Sequence, residues 1–293
     1  MQTNIRPRRS FIFTPGLNPA MFPKALACGA DMVCIELEDG IAPKDKALAR
    51  ARTLEIFRQP LPATSAEVIV RINCLRDSFG LADITAILDM PQGLPALMLP
   101  KVRTADEVRW LDGLLTERGH DTDLHIIIET NDGLEAAAEI ARSSPRVKAL
   151  FFGGVDMAAE LGCKNHWDSL LYARSRVVHA AARAGIDAID VPYLDLEDPA
   201  GLSVAAMQAR DLGFSGKGSI HPKQIPVIND VFTPDEAAVA HARRILSAFE
   251  QADTGLVVVD GKLIEKPVLR EMQRVISIAE RVQKHNASAL SDR

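Results

Sequence analysis

Polar and charged residues follow five apolar segments of this sequence, at the point where each segment would end as a β-strand. The segments read SFIFTPG, MVCIELED, VIVRIN, LHIIIET and LFFGGVD. Their ends supply Glu38, Asp39, Arg71, Glu129 and Asp156. If the strands are parallel, these side chains gather at one end of a barrel. Four carboxylates and one arginine in one place favour a divalent cation and an anionic substrate.

Glu129 and Asp156 are the candidate metal ligands. Mg²⁺ takes oxygen ligands and usually keeps several waters, so two carboxylates and a substrate complete its coordination. Gly153 and Gly154 precede Asp156 and allow backbone N–H groups to approach a bound anion closely. The alternative is that Glu129 and Asp156 only cap helices at strand–helix junctions.

Arg71 is the candidate for binding a substrate carboxylate, because a guanidinium can bind one with two parallel hydrogen bonds. It can also serve as a structural partner of Glu36 or Glu38. Strand alternation places Glu36 and Glu38 on one face. We expect Glu38 to point into the mouth of the barrel, where it can hold a water near the cation, and Asp39 to lie beside it or cap the next loop.

The chain alternates between strand-like and helical segments after Arg9, which predicts an α/β protein of the (β/α)8 TIM-barrel class. Apolar runs between helical patterns are typical of strands buried on both faces. A dinucleotide-binding fold has weak support, since no GxGxxG follows the first strand. The expected strands lie near residues 10–14, 32–38, 67–73, 96–101, 124–129, 147–153, 187–191 and 216–220.

The pattern changes after His221-Pro222, so we predict a barrel domain over residues 1–225 and a C-terminal segment over 226–293. In that segment we expect a helix over 234–252, a hairpin LVVVD-G-KLIE and a second helix over 267–285. A unit of this size builds only a small core. We therefore expect it to act as a lid or an oligomerisation element, packed on the barrel or on a neighbouring subunit.

The bulk composition is that of a globular enzyme, with 293 residues, 47% hydrophobic and 25% charged. A net charge of −5 argues against nucleic acid as a partner. No apolar run is long enough for a secretory signal or a membrane span, so we expect a cytoplasmic protein. The four cysteines lack metal-type spacing, and we expect free thiols.

A phosphate-bearing ligand would need a local cluster of positive charge, because the chain as a whole is acidic. His221 lies at the end of the last predicted strand, within GKGSIHPKQ. The candidate phosphate-binding residues are Arg9, Lys24, Lys217 and His221, with Arg8 and Lys223 nearby in sequence. Such lysines and arginines often lie on solvated faces instead.

Several motifs, in order, resemble the citrate lyase β-subunit-like family of the HpcH/HpaI aldolase superfamily. They are RRSFIFTPG, ADMVCIELEDGIAPKDKALAR, VIVRIN, LMLPKV, IIIETNDGL, LFFGGVDMAAELG and GFSGKGSIHPKQI. The resemblance implies a Mg²⁺-dependent barrel, with Mn²⁺ as an alternative ion, that acts on short acyl-coenzyme A thioesters. It implies that Glu129 and Asp156 bind the metal and that Arg71 binds the keto-acid carboxylate. The backbone of Gly153, Gly154 and Val155 would hold the other end of that acid.

The C-terminal segment departs from the resembled family at one position. Free-standing coenzyme A-dependent members have Gly-x-Met-Ile-Asp-x-Pro, whose Asp acts over a neighbour's active site, whereas this chain has GKLIEKP at 261–267. Glu265 therefore stands where the family has Asp, and Glu36 likewise replaces an Asp. Both changes keep the charge. The resemblance implies a homotrimer or higher oligomer, with Glu265 acting on a neighbouring subunit.

These residues lead us to expect reversible cleavage of a 3-hydroxyacyl-CoA to acetyl-CoA and an α-keto acid, with Glu265, Arg71 and Glu38 as catalytic residues. Malyl-CoA and citramalyl-CoA, which would give glyoxylate and pyruvate, differ by one methyl and remain open. Three other functions are a thioesterase on malyl-CoA-like substrates, a metal-dependent aldolase on free hydroxy acids, and a non-catalytic protein that binds coenzyme A or a keto acid.

Overall fold

Eight parallel strands form a closed barrel in the computed structural model, which describes residues 7–62, 64–252, 256–265 and 268–291. Each strand pairs with the next one in the chain, and β8 pairs with β1. The predicted (β/α)8 class is confirmed. The strands are β1 Ser10–Pro15, β2 Met32–Glu36, β3 Glu67–Arg71, β4 Ala96–Leu99, β5 Asp123–Ile128, β6 Val147–Phe152, β7 Asp187–Asp190 and β8 Gly216–Ser219.

The barrel core explains why the strands read as unbroken apolar runs. All five residues of β2 and all four of β4 are buried, because one face lines the barrel and the other meets the outer helices. The cluster of buried side chains inside includes Phe11, Met32 and Phe151. Phe11 and Phe151 meet edge to face, with ring centroids 5.0 Å apart.

Helices follow the strands around the barrel. Thr104 and Glu107 form a capping box at the start of α4, and the Thr130 side chain caps the helix after β5. The helices are α1 Phe22–Leu26, α2 Lys46–Ile56, α3 Ser78–Leu88, α4 Ala105–Glu117, α5 Asn131–Glu135, α6 Ala137–Ile140, α7 Gly154–Leu161, α8 Trp167–Ala184, α9 Pro199–Leu212, α10 Ile225–Phe232, α11 Glu236–Glu250 and α12 Val268–Ser291.

The chain divides into two compact units, one over Arg8–Asn229 and one that contains the residues from Asp230 onward. The second unit contains α11, α12 and the antiparallel hairpin β9 Leu256–Val259 and β10 Lys262–Glu265. Val257, Val259 and Met272 belong to its small apolar core. The division falls four residues after the expected boundary at 225, within α10. The expected helix start at Pro267 lies outside the described residues.

Two simpler expectations can be compared with the structure. All four cysteines are free thiols, and Cys34 is fully buried inside the barrel. Within the described part of the chain, no helix combines the length and the hydropathy that crossing a membrane requires.

A buried charge network occupies the amino end of the barrel, where β3, β5 and β7 begin. The Glu67 carboxylate, 2% exposed, accepts hydrogen bonds from Arg8 Nε at 2.6 Å and from His125 Nε2 at 3.0 Å. Arg8 Nη1 also donates to Asp187 at 2.8 Å. Burial by itself raises the pKa of Glu67, but the charges and hydrogen bonds of His125 and Arg8 outweigh it and hold this pKa far below its ordinary value.

We predict that Glu67→Gln lowers the free energy of unfolding at pH 7 by about 1–3 kcal/mol, because Arg8 keeps Asp187 but loses the charge of Glu67. Glu67 has a lower pKa in the folded state, so its contribution is complete above its unfolded value of 4.5 and is lost as the pH falls below it. Urea unfolding between pH 3 and pH 8 measures both effects, and the variant should lose less stability than wild type on acidification.

The matched control is Glu55→Gln, since Glu55 is 62% exposed and pairs with Arg58, which lies just beyond the end of α2. Exposed pairs of this kind contribute at most about 1 kcal/mol. Equal unfolding free energies for the Glu67 and Glu55 variants would contradict the structural importance of the network.

Candidate active site

Arg71 and Glu36 are paired at the carboxyl ends of β3 and β2. The two residues are direct neighbours in the register of the strands. Arg71 Nε and Nη2 lie 2.6 Å and 2.5 Å from the same oxygen of Glu36, and the guanidinium stacks over the Phe13 ring at 4.6 Å. The structural partnership of Arg71 with Glu36 is therefore present. One edge of the guanidinium, at Nη1, is not taken by Glu36.

Glu38 lies between two cations at the mouth of the barrel. Arg71 Nη1 is 3.3 Å from Glu38 Oε2, and the Lys101 ammonium donates to Glu38 Oε1. Lys101 Nζ also lies 3.1 Å from both oxygens of Asp39. Glu38 is buried, and its Oε2 accepts no hydrogen bond from the part of the chain that the structure describes. Glu36, Arg71, Glu38, Lys101 and Asp39 thus form a chain of alternating charge.

Lys46 fixes the backbone of the loop that carries Glu38. This lysine is buried, and its ammonium donates to the backbone carbonyls of Leu37 at 2.9 Å and Glu38 at 2.6 Å. It also donates to Asn73 Oδ1 at 2.5 Å, and Asn73 in turn donates to Asp83. Because the ammonium has three such acceptors, it holds the backbone at the end of β2 in one position.

Glu129 follows β5 and is surrounded by other acidic groups. Its pKa is raised to about 8 by burial first, then by the negative charges of Asp156 and Glu38. The Lys101 backbone N–H donates to Glu129 Oε1 at 2.8 Å. A Cβ at Gly153 would meet Glu129 Oε2 at 2.4 Å. Glycine at 153 is therefore what allows the carboxylate to lie against the start of α7.

Asp156 lies in the first turn of α7, half-buried, and its charge acts on Glu129. A buried carboxylate whose pKa is raised by a neighbouring carboxylate is suited to a divalent cation, which would favour its ionised form. Among the described residues no group of three or more His, Cys, Asp and Glu side chains is positioned as a metal cage. A two-carboxylate set fits an ion such as Mg²⁺, which keeps waters in its coordination shell.

The start of α7 is the part of the mouth where backbone N–H groups can bind an anion. Gly154 is buried, and Val155 is half-exposed. The first N–H groups of a helix lack intrahelical acceptors and can bind an anion. Residues from β2 to α7 thus line one mouth, as expected for parallel strands whose carboxyl ends converge.

Arg9 and Lys217, two of the expected phosphate-binding residues, are neighbours in the barrel, but each side chain is paired with a carboxylate. Arg9 precedes β1 at the amino end of the barrel, is buried, and bonds Asp31 through its side chain at 2.8 Å. The Lys217 ammonium is also buried, and donates to Asp190 at 2.6 Å and to the Val191 carbonyl at 2.8 Å. Both placements speak against phosphate binding, because each positive charge is already paired with a carboxylate.

Lys24 and His221 remain as candidates for phosphate binding. Lys24 is exposed on α1, and His221 follows β8, where its Nδ1 accepts from the Lys223 backbone N–H at 3.1 Å. Glu265 is exposed at the end of β10 in the C-terminal unit. The two residues that follow it in the motif GKLIEKP lie outside the described residues.

Sequence reasoning missed Lys101 and Lys46. Lys101 lies two residues after the apolar run of β4, and Glu129 directly follows β5. The strand-end rule that selected the other residues would have selected it. Lys46 lies inside a helical segment, and no spacing in the sequence distinguishes it from a solvated lysine.

Three comparisons relate this chain to known proteins. The model of the HpcH/HpaI aldolase/citrate lyase family matches residues 9–222. The L-malyl-CoA/beta-methylmalyl-CoA lyase of Cereibacter sphaeroides is 34% identical, and the match covers 94% of this chain and 96% of that protein. The citrate lyase subunit beta of Leuconostoc mesenteroides is also 34% identical, with 94% of each chain covered.

Two solved structures are similar to this chain. CitE from Mycobacterium tuberculosis, in complex with magnesium, acetoacetate and coenzyme A, has a TM-score of 0.76 and 30% identity; the match covers 92% of this chain and 97% of that one. RipC from Yersinia pestis has a TM-score of 0.70 and 38% identity, over 79% of this chain and 97% of that one.

We predict that Gly153→Ala weakens Mg²⁺ binding by about tenfold or more, because the added Cβ displaces the Glu129 carboxylate. Isothermal titration calorimetry with Mg²⁺ measures this. Gly113→Ala is the control, since a Cβ there has no atom within 4 Å and an exposed helical alanine should stabilise the fold. Equal Mg²⁺ affinity in the Gly153 variant and the control would contradict the contact.

Proposed function

The chain belongs to the HpcH/HpaI aldolase/citrate lyase family, and we propose that it is a Mg²⁺-dependent carbon–carbon lyase acting on coenzyme A thioesters. The observation that carries this proposal is the convergence of Glu129, Asp156 and Glu38 beside the partly free edge of Arg71. The relatives named as malyl-CoA lyase and citrate lyase subunit beta support the reaction class, and the magnesium and coenzyme A in the CitE complex support the cofactor and substrate.

The proposed substrate is a 3-hydroxyacyl-CoA with a carboxylate on the carbinol carbon, of the malyl-CoA or citramalyl-CoA type. Arg71 binds that carboxylate through Nη1, while Glu36 fixes the guanidinium and Phe13 covers its face. The backbone of Gly153, Gly154 and Val155 binds the other end of the keto-acid portion. Glu129 and Asp156 would hold Mg²⁺, which would supply Lewis-acid stabilisation of negative charge on the substrate.

Cleavage requires a proton acceptor for the substrate hydroxyl and a proton donor for the departing carbon. Glu38 is the proposed acceptor, because its Oε2 is buried at the mouth and accepts no hydrogen bond from the described residues. As the hydroxyl proton leaves, the oxygen forms the keto group and the C2–C3 bond breaks. The electrons of that bond pass to C2 as the enolate of acetyl-CoA.

Glu265 is the proposed proton donor to that enolate carbon, and in the reverse direction it removes a proton from the acetyl-CoA methyl group. Its carboxylate is exposed on the hairpin of the C-terminal unit and replaces the Asp of the resembled motif with the same charge. We propose that it reaches the active site of a neighbouring subunit in a homotrimer or larger assembly. Lys24 and His221 are the proposed contacts for the coenzyme A phosphates.

We predict that the purified protein with Mg²⁺ converts malyl-CoA or citramalyl-CoA to acetyl-CoA and glyoxylate or pyruvate, and that EDTA abolishes the turnover. The assay supplies both stereoisomers of each thioester and resolves the acyl-CoA products by mass spectrometry. The two substrates differ by one methyl, which a pocket distinguishes by only about 1–3 kcal/mol, so the ratio of kcat/KM values decides between them.

Other products would point to other functions. Free coenzyme A with an intact hydroxy acid would indicate a thioesterase and not a lyase, and cleavage of free malate or citramalate would indicate an aldolase.

A Glu265→Ala variant in the same assay should lose most of the turnover. Full turnover in that variant would contradict the proposed role of Glu265 while leaving the reaction class intact.

A further inference from the structure

Lys101 contacts two parts of the acidic site with two different groups. Its backbone N–H donates to Glu129 Oε1 at 2.8 Å, and its ammonium binds Glu38 and Asp39. Glu129 follows β5, whereas Glu38 and Asp39 follow β2. Lys101 therefore joins acidic groups from strands on either side of its own strand β4.

The backbone of Lys101 adopts a conformation that residues with a Cβ avoid. Its φ is 54°, and among the described residues only Asp260 shares a positive φ without being glycine. Glycine adopts this region without steric cost, so a lysine here is conformationally unfavourable. Strained residues of this kind concentrate at functional sites, where the side chain has a task that glycine cannot perform.

The two carboxylate oxygens of Glu38 have different partners, and this difference indicates the task of Lys101. Oε1 is bound by the Lys101 ammonium, while Oε2 lies 3.3 Å from Arg71 Nη1, longer than a charge-assisted hydrogen bond of about 2.7–2.9 Å. Arg71 already donates Nε and Nη2 to Glu36. If Glu38 turned fully onto Nη1, the guanidinium would have two protein carboxylates and little donor capacity for a third.

We propose that Lys101 is a positioning residue that holds Glu38 away from Arg71 and so keeps Arg71 Nη1 available for the carboxylate of a 2-oxo acid. This inference rests on the proposed function, in which Arg71 binds that carboxylate. Without the ammonium, Arg71 is the nearest cation to Glu38, and the carboxylate moves onto it. The substrate carboxylate then has to displace Glu38 before it can bind.

The test compares Lys101→Gly, Lys101→Met and Lys101→Arg with wild type in calorimetric titrations of glyoxylate and pyruvate with Mg²⁺ present. The glycine and methionine variants keep the N–H that binds Glu129 but lose the ammonium. They should bind the 2-oxo acid about tenfold more weakly, the loss expected for one charge-assisted hydrogen bond. The arginine variant should recover part of that affinity, because it keeps the positive charge.

Three further readouts separate positioning from folding. Lys101→Gly should melt at the same temperature as wild type or higher, because glycine relieves the left-handed backbone. Its Mg²⁺ affinity should not fall, since the N–H to Glu129 remains and a nearby cation is removed. In a crystal structure of Lys101→Met, the separation of Arg71 Nη1 and Glu38 Oε2 should shorten from 3.3 Å to that of a direct hydrogen bond.

The control is Lys148→Met, since Lys148 lies in β6 and pairs with Asp123 at 3.5 Å, at the amino end of the strands. It should leave the affinity for 2-oxo acids unchanged. Unchanged affinity in Lys101→Gly and Lys101→Met, with Glu38 still 3.3 Å from Arg71, would overturn the inference alone. Failure of wild type itself to bind either acid would overturn the proposed role of Arg71 and with it this inference.

Discussion

Carboxylates of like charge converge at the mouth of this barrel, and the rest of the site is arranged around their repulsion. Glu129 shows the effect directly, because burial and the charges of Asp156 and Glu38 raise its pKa to about 8. Arg71 and Lys101 offset the charge on one side of the cluster, towards Glu36, Glu38 and Asp39. Glu129 and Asp156 form no ion pair with the described residues, which suits a site for a divalent ion.

The two ends of the barrel use buried charge for different purposes. At the amino end, Glu67 accepts hydrogen bonds from Arg8 and His125, and this buried network contributes stability. At the carboxyl end, Glu38 and Arg71 keep unused hydrogen-bonding capacity. In barrels of this fold, the amino end serves stability and the carboxyl end carries the active site. The two charge networks of this chain follow that division.

Much of the fold and part of the site could be predicted from the sequence. Strand ends are visible as apolar runs that stop at a charged residue, and this located Glu38, Arg71 and Glu129. The same signal cannot report the partner of a charge. Arg9 and Lys217 belong to basic stretches of the sequence, yet Asp31 and Asp190, distant in the chain, bind them in buried pairs. Long-range pairing of this kind depends on strand register, which composition and spacing do not reveal.

The central claim is that Glu129 and Asp156 together hold a divalent cation. Calorimetric titration of Mg²⁺ into wild type, Glu129→Gln and Asp156→Asn tests it most directly, with Glu117→Gln as a control on an exposed helix end. We expect one Mg²⁺ per chain in wild type and in the control, and a loss of affinity of about a hundredfold in each of the other two variants, because each removes a charged ligand. Unchanged Mg²⁺ affinity in both variants would contradict the account.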